Sequence, residues 1–169
     1  GSTNVTSGTN QTIPPIITAL LTTANTCTGS ARSNNHPTGL YTHSRWYLNT
    51  NYAVATNIGA NPSGSADLRG RGVGVETVIV SLYDYDPVSG AKTQIGSSPA
   101  ITITGATTAY PYSISSPLYT VPAGHRLMLQ YDFNQPTTTD RARVYCSTPS
   151  PSYIAVTETA APLVVSASA

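Results

Sequence analysis

Residues Val75 to Ile95 read "VETVIVSLYDYDPVSGAKTQI", and their pattern decides the fold class. Val78, Val80 and Leu82 alternate with Ile79, Ser81 and Tyr83, and both sets are largely apolar, which predicts a strand covered on both faces. The pattern stops at "DPVSG". There Asp86 can accept hydrogen bonds from the turn backbone, Pro87 pre-sets φ, and Gly90 can take a positive φ before a return strand. The stretch predicts a β-hairpin, and its turn needs no chemical role to explain it.

The same punctuation recurs on either side. "AITITG", "YPYSIS", "LYTV", "HRLMLQYDF", "ARVYCS" and "SYIAVTE" follow at regular intervals, separated by Pro, Gly and Thr turns. In "RLMLQYDF", Leu127, Leu129, Tyr131 and Phe133 face one way and Arg126, Met128, Gln130 and Asp132 the other. Upstream, "LYTHSRWYL" places Leu40, Thr42, Ser44, Trp46 and Leu48 on one side and Tyr41, His43, Arg45 and Tyr47 on the other, with the lone Trp aimed at the core. Asn49 to Gly74 shows little pattern and reads as functional loop or weak strand. Short strands without a helical period predict an all-β fold, a β-sandwich of jelly-roll or Ig-like type with extended N- and C-terminal segments. The organisation expected is an extended segment over 1–26 able to act as a donor strand, a sandwich over 27–160, and a β-capable tail over 161–169.

Composition narrows the function classes. A chain of 169 residues suits one domain, and only 9% of it is charged, where about 25% is usual. Lys92 is the single lysine, so Ser and Thr hydrate the surface, and little like-charge repulsion opposes packing against copies of the same chain. A net charge of +1 gives no electrostatic reason to expect nucleic acid or an anionic membrane as partner. No apolar run approaches the length of a membrane span, and no basic segment followed by an apolar one marks a signal peptide within these residues. Cys27 and Cys146 are the only cysteines. In an extracellular chain they predict one disulfide, whose long loop would contribute about 4–5 kcal/mol; the alternative is two buried thiols.

Candidate sites are few. Asp84 and Asp86 in "DYDPVSG" faintly resemble the start of a calcium loop, but calcium takes about six to eight oxygens, and only Asp132 or Asp140, brought near by the fold, could add more. Calcium is therefore a weak candidate, and no other metal or cofactor is expected. His36, His43 and His125 read as isolated loop histidines, since a metal site needs at least about three converging ligands. Neither "G-x-S-x-G" nor "H-E-x-x-H" occurs, so no catalytic residue is nominated and an enzyme is not expected. Eleven Tyr against one Phe is a marked skew. Tyr83 and Tyr85 in "YDY", Tyr110 and Tyr112 in "YPY", and Trp46 are candidates for stacking on sugar rings; the alternative is half-buried β positions with hydroxyls at the sheet rim. Asn4 in "NVT" and Asn10 in "NQT" are permissive glycosylation sequons.

"VSLYDYDPVSGAKTQIGSS" together with "YTVPAGHRLMLQYDF" is similar to strand–turn–strand patterns of secreted bacterial β-sandwich modules. "VPAGHRLML" also resembles a piece of the C-terminal jelly roll of X-Pro dipeptidyl-peptidase-like hydrolases. The resemblance spans residues 75–133. It implies a fold and an extracellular or cell-surface location, and carries over no active-site residue, because the jelly roll of those hydrolases is an accessory domain.

Two functions follow as expectations. The first is an extracellular structural or adhesive subunit that polymerises with copies of itself into a pilus-like filament by strand exchange, with Ile13, Ile16, Ile17, Leu20 and Leu21 as apolar anchors. The alternative is a carbohydrate-binding accessory module of a secreted enzyme, with extracellular glycans as partners.

Overall fold

Fifteen strands and no helix occur among the described residues of the computed structural model, which are 2–5, 11–17, 30–33, 41–48, 50–71, 76–106, 108–134, 141–145 and 152–162. In chain order the strands are β1 (Ser2–Val5), β2 (Gln11–Ile17), β3 (Ser30–Ser33), β4 (Tyr41–Leu48), β5 (Thr56–Ile58), β6 (Ser63–Arg71), β7 (Thr77–Tyr85) and β8 (Lys92–Ser97). They continue with β9 (Ile101–Thr102), β10 (Thr108–Ser113), β11 (Tyr119–Val121), β12 (Arg126–Asn134), β13 (Arg141–Tyr145), β14 (Tyr153–Ala155) and β15 (Glu158–Ala160). Cys27, Cys146, Asn10, Leu20, Leu21, His36, Asp140 and the tail over 163–169 lie outside the described residues.

Two six-stranded sheets face each other. The first runs β1-β3-β13-β6-β10, with β14 also on β6, and the second runs β2-β4-β12-β7-β8, with β9 also on β7. Without the added edge strands, the spatial orders are β3-β13-β6-β10 and β4-β12-β7-β8. The chain enters both sheets by turns, which is jelly-roll connectivity. This selects the jelly roll from the two sandwich types expected.

The alternation of β12 explains the core. Leu129 lies between Leu82 of β7 and Trp46 of β4, and the next inward row joins Tyr131 to Val80 and the last Phe133 to Val78. All of these apolar side chains are buried, and Ala66, Leu68 and Ile154 close the core from the first sheet. The stretch from Asn49 to Gly74 proves to hold β5 and the nine-residue β6, a central strand. Gly64 of β6 lacks a side chain for a reason: a Cβ there would overlap the Tyr153 carbonyl oxygen of β14.

The hairpin forms as expected. Gly90 has φ 75°, its N–H donates to the Asp86 carbonyl at 2.8 Å, and the Asp86 carboxylate accepts from the Val88 N–H and the Ser89 hydroxyl. Those bonds, the Ser89 hydroxyl foremost, hold the Asp86 carboxyl below its usual range.

At one end of the sandwich, β11, β5 and β15 form a small antiparallel sheet. It is tied on through backbone bonds between Tyr52 and both Gly124 and His125. At the chain's start, β1 pairs in parallel with β3, and β2 in parallel with β4. The described parts of the segment expected to serve as a donor strand, β1 and β2, thus lie on edges of its own chain's sandwich.

Candidate functional site

The outward face of the second sheet gathers the polar and aromatic groups that the core excludes. Tyr47, Met128 and Tyr83 stand in one cross-strand row, and Arg45, Gln130 and Ser81 in the next. Tyr85 stands opposite Arg126. Tyr47 and Tyr85 belong to strands separated by β12, yet their ring centroids are 4.9 Å apart at 62°. The two rings therefore meet over the intervening strand, in the edge-to-face arrangement favoured by the ring quadrupoles. Met128, in register between Tyr47 and Tyr83, is 0% exposed although it points outward.

Beside this aromatic roof lies a polar cluster centred on Gln130. Its Oε1 accepts from Arg45 Nε at 2.6 Å and from Lys92 Nζ at 3.3 Å. Its Nε2 donates to both carboxylate oxygens of Asp132, at 2.9 and 3.0 Å. Lys92 reaches this point from the edge strand β8 by crossing Tyr83, with Nζ 4.9 Å from the ring centroid, a cation–π distance. Burial and the neighbouring Arg45 charge push the Lys92 amine down, against the pull of Asp132. Burial, then Asp132, pushes the Tyr83 hydroxyl up, so it stays a neutral donor. The arrangement offers aromatic side chains beside fixed donors and acceptors, which suits binding a polyhydroxylated ring.

Of the stacking candidates, Tyr83 and Tyr85 lie on this face and the other three do not. Trp46 is 1% exposed, in the core row with Leu129, and cannot stack on a ligand. Tyr112 is also buried, its hydroxyl donating to the Tyr153 carbonyl at 2.9 Å. Tyr110 pairs opposite the inward-facing Ala66 and packs against the core while its hydroxyl accepts from the Thr104 N–H. The "YPY" pair thus faces into the sandwich, because β10 presents its odd positions, Pro111 and Ser113, to solvent. Arg45, Tyr47, Lys92 and Gln130 were not nominated by sequence. Their alternation against Trp46 and Leu129 was visible, but the pairing of β4, β12, β7 and β8 that assembles them was not.

The calcium candidates do not converge. Asp84 is 5% exposed; its Oδ2 accepts from the Tyr119 hydroxyl at 2.9 Å and its Oδ1 pairs with His125 Nδ1 at 2.8 Å. Asp86 spends its oxygens in the hairpin turn, and Asp132 is held by Gln130 on the outward face. Among the described residues no three His, Cys, Asp or Glu side chains gather in a way that could hold a metal ion. His125 is paired with Asp84 in a half-buried junction rather than isolated, and His43 lies in β4 opposite Asp132. Ile13, Ile16 and Ile17 lie in β2, and Asn4 in β1. The first sheet carries an open depression lined by Ser63, Gly64, Pro111, Tyr112, Ser113 and Tyr153, with no charged side chain in its lining.

No protein-family model matches the chain, and no curated protein does. Solved structures match its fold. An aminopeptidase from a marine sediment Thaumarchaeota archaeon has a TM-score of 0.56 at 13% identity, over 70% of this chain and 26% of its own. An α-amino acid ester hydrolase has 0.52 at 19%, over 69% and 25%. A CocE/NonD family hydrolase from Staphylococcus aureus has 0.52 at 6%, over 75% and 32%. The chain thus spans only about a quarter to a third of the length of these structures. The resemblance to the β domain of X-Pro dipeptidyl-peptidase-like hydrolases holds at the level of fold.

Proposed function

We propose that this chain is a non-catalytic accessory module of a secreted hydrolase, and that it binds glycans through the outward face of its second sheet. The observation that carries this reading is the Tyr47–Tyr85 roof over Met128, flanked by the Gln130 cluster. The fold's occurrence within larger hydrolases supports an accessory role, and an extracellular setting follows from the ligand. Among the described residues no helix is long and apolar enough to cross a membrane. Native affinity electrophoresis through gels cast with soluble polysaccharides tests the reading. At least one polysaccharide should retard the protein, and Tyr85→Ala should weaken that binding roughly three- to tenfold, the worth of one lost ring contact. Equal mobility in every gel would refute it.

The parallel seating of β1 and β2 favours strand exchange between copies as a second reading. Strand addition forms through main-chain hydrogen bonds, so the same pairing can form from a neighbour. Light scattering at rising concentration tests it: assemblies that Ile16→Asp with Leu20→Asp disperses support exchange, and a monomer throughout removes it.

A further inference from the structure

On the basis of that glycan-binding reading, we infer that the site selects acidic sugars, with Lys92 holding the carboxylate of a hexuronate while the sugar ring lies against Tyr83 and Tyr85.

The charge arrangement at Gln130 carries the argument. A single neutral carbonyl oxygen receives two cationic donors, Arg45 Nε and Lys92 Nζ. A neutral acceptor satisfies their hydrogen-bonding geometry and leaves their charge uncompensated. Asp132 is the one carboxylate in contact with the cluster among the described residues, and both its oxygens face Gln130 Nε2. Two cations thus confront one carboxylate, and Arg45, only 8% exposed, cannot turn away to solvent. The other groups on this part of the face are a further cation, Arg126, opposite Tyr85 and bonded to the neutral Asn51 and Leu48 oxygens, and the neutral Ser81, Tyr83, Tyr85, Tyr47, Met128 and Gln94.

Lys92 is the exposed member of the pair. A carboxylate arriving at its amine would gain a charge-assisted hydrogen bond and relieve the repulsion from Arg45, whose Nε shares the Gln130 oxygen with it. The Tyr83 ring under Nζ places that carboxylate within one side chain of an aromatic surface. Hexuronates present the matching pair, a carboxylate on a ring with an apolar face. A neutral sugar has no group for the cation, and a polyanion without rings has nothing for the tyrosines. The whole chain carries only +1, so long-range attraction adds little and selectivity must come from this local pairing.

Gels containing polygalacturonate, alginate, fully methyl-esterified polygalacturonate, chondroitin sulfate or a neutral galactan test the inference, with Trp46 fluorescence confirming the fold of each variant. We expect retardation by polygalacturonate or alginate and none by the ester or the galactan. Lys92→Ala should weaken uronate binding roughly fivefold, as expected for one partly screened charge contact, while Lys92→Arg retains it. The ester or galactan binding as well as the acid, or uronate binding unchanged in Lys92→Ala, would overturn the inference and leave the glycan reading standing. Chondroitin sulfate retarding the protein where the uronate homopolymers do not would assign the cation to a sulfate ester and overturn it equally. No retardation in any gel would remove both.

Discussion

Asp84 offers the sharpest test of how this sandwich holds its end together. Its carboxylate joins the penultimate position of β7 to Tyr119 of β11 and to His125 just before β12. Burial and the bond to Asp84 push the Tyr119 hydroxyl up to about 12, so it remains a neutral donor. A hydrogen bond to a charged group is worth about 1.5–3 kcal/mol net, and Asp84→Ala removes two. Full additivity is not expected, because His125 is 28% exposed and Tyr119 is half-buried, so water replaces part of what is lost. A destabilisation of about 2–3 kcal/mol for Asp84→Ala follows, and about 1–2 kcal/mol for Asp84→Asn, which keeps one acceptor. In a chain of this size the larger figure corresponds to a fall in Tm of roughly 5–10 °C. Urea titration is the assay. Trp46, the single tryptophan, is 1% exposed and should report the transition by a red shift on unfolding. Both variants falling within about 0.5 kcal/mol of the parent, the range of an ordinary surface substitution, would refute the junction. Titrations with calcium and with chelator belong to the same experiment. The parent should unfold at the same urea concentration in both, since the Asp84 and Asp86 oxygens are already bonded within the chain, and a calcium-dependent gain abolished by Asp84→Asn would show those oxygens to be available.

Two further outcomes are expected besides those for Tyr85 and Lys92. Gly64→Ala places a Cβ against the Tyr153 carbonyl oxygen and Ile154 Cα, so β14 must shift from β6; a loss of about 1–3 kcal/mol is expected from overpacking, and unchanged thermal stability would contradict the close approach. Burial raises the Asp67 carboxyl pKa, so the folded state binds its proton more readily than the unfolded state, and ionised Asp67 costs stability above that pKa. Asp67→Asn should therefore be the more stable form at pH 7, with the gap closing as pH falls through the folded pKa toward the unfolded value near 3.9; a gap that widens in acid would reverse the sign and refute the reasoning.

Local pattern made β7, β12 and the hairpin legible, because a period of two with one apolar face has only one sensible register against a core. It failed at β6. "SGSADLRGR" has a single large apolar residue, Leu68, and what makes it a central strand is its pairing with β10, β13 and β14, contacts that no local window contains. Aromatic identity misled at Trp46 and Tyr112: a large ring on a strand is equally suited to either face, and for Trp46 the alternation with Arg45 and Tyr47 was the better guide. The candidate site was half legible. The i, i+2 spacing put Tyr83 and Tyr85 on one face, whereas Tyr47, Gln130 and Lys92 join them only through long-range pairing.

The sheet edges bear on whether strand exchange could extend the sandwich. A jelly roll has two open sides. On one, the Ser97–Ser115 bridge links the end of β8 to the residues after β10. On the other, β1 and β2 cover β3 and β4. Of the strands left outermost, β2 loses regular pairing between Ile13 and Ile17, across Pro14 and Pro15, and β10 carries Pro111 at its centre. Proline has no N–H to donate, and its presence on an edge discourages a new strand from adding there. Adding a strand outside β2 or β10 would therefore leave carbonyls of the incoming chain without donors. Replacing β1 and β2 by the same segment of another copy meets no such obstacle, since the parallel pairing with β3 and β4 is unchanged whichever chain supplies it. Proline thus guards the β2 and β10 edges against added strands, while exchange of the first two strands would act on the side of the sandwich where β2 borders β4. That strand also carries Arg45 and Tyr47 of the proposed sugar face, so an exchanged assembly would retain the site in each copy.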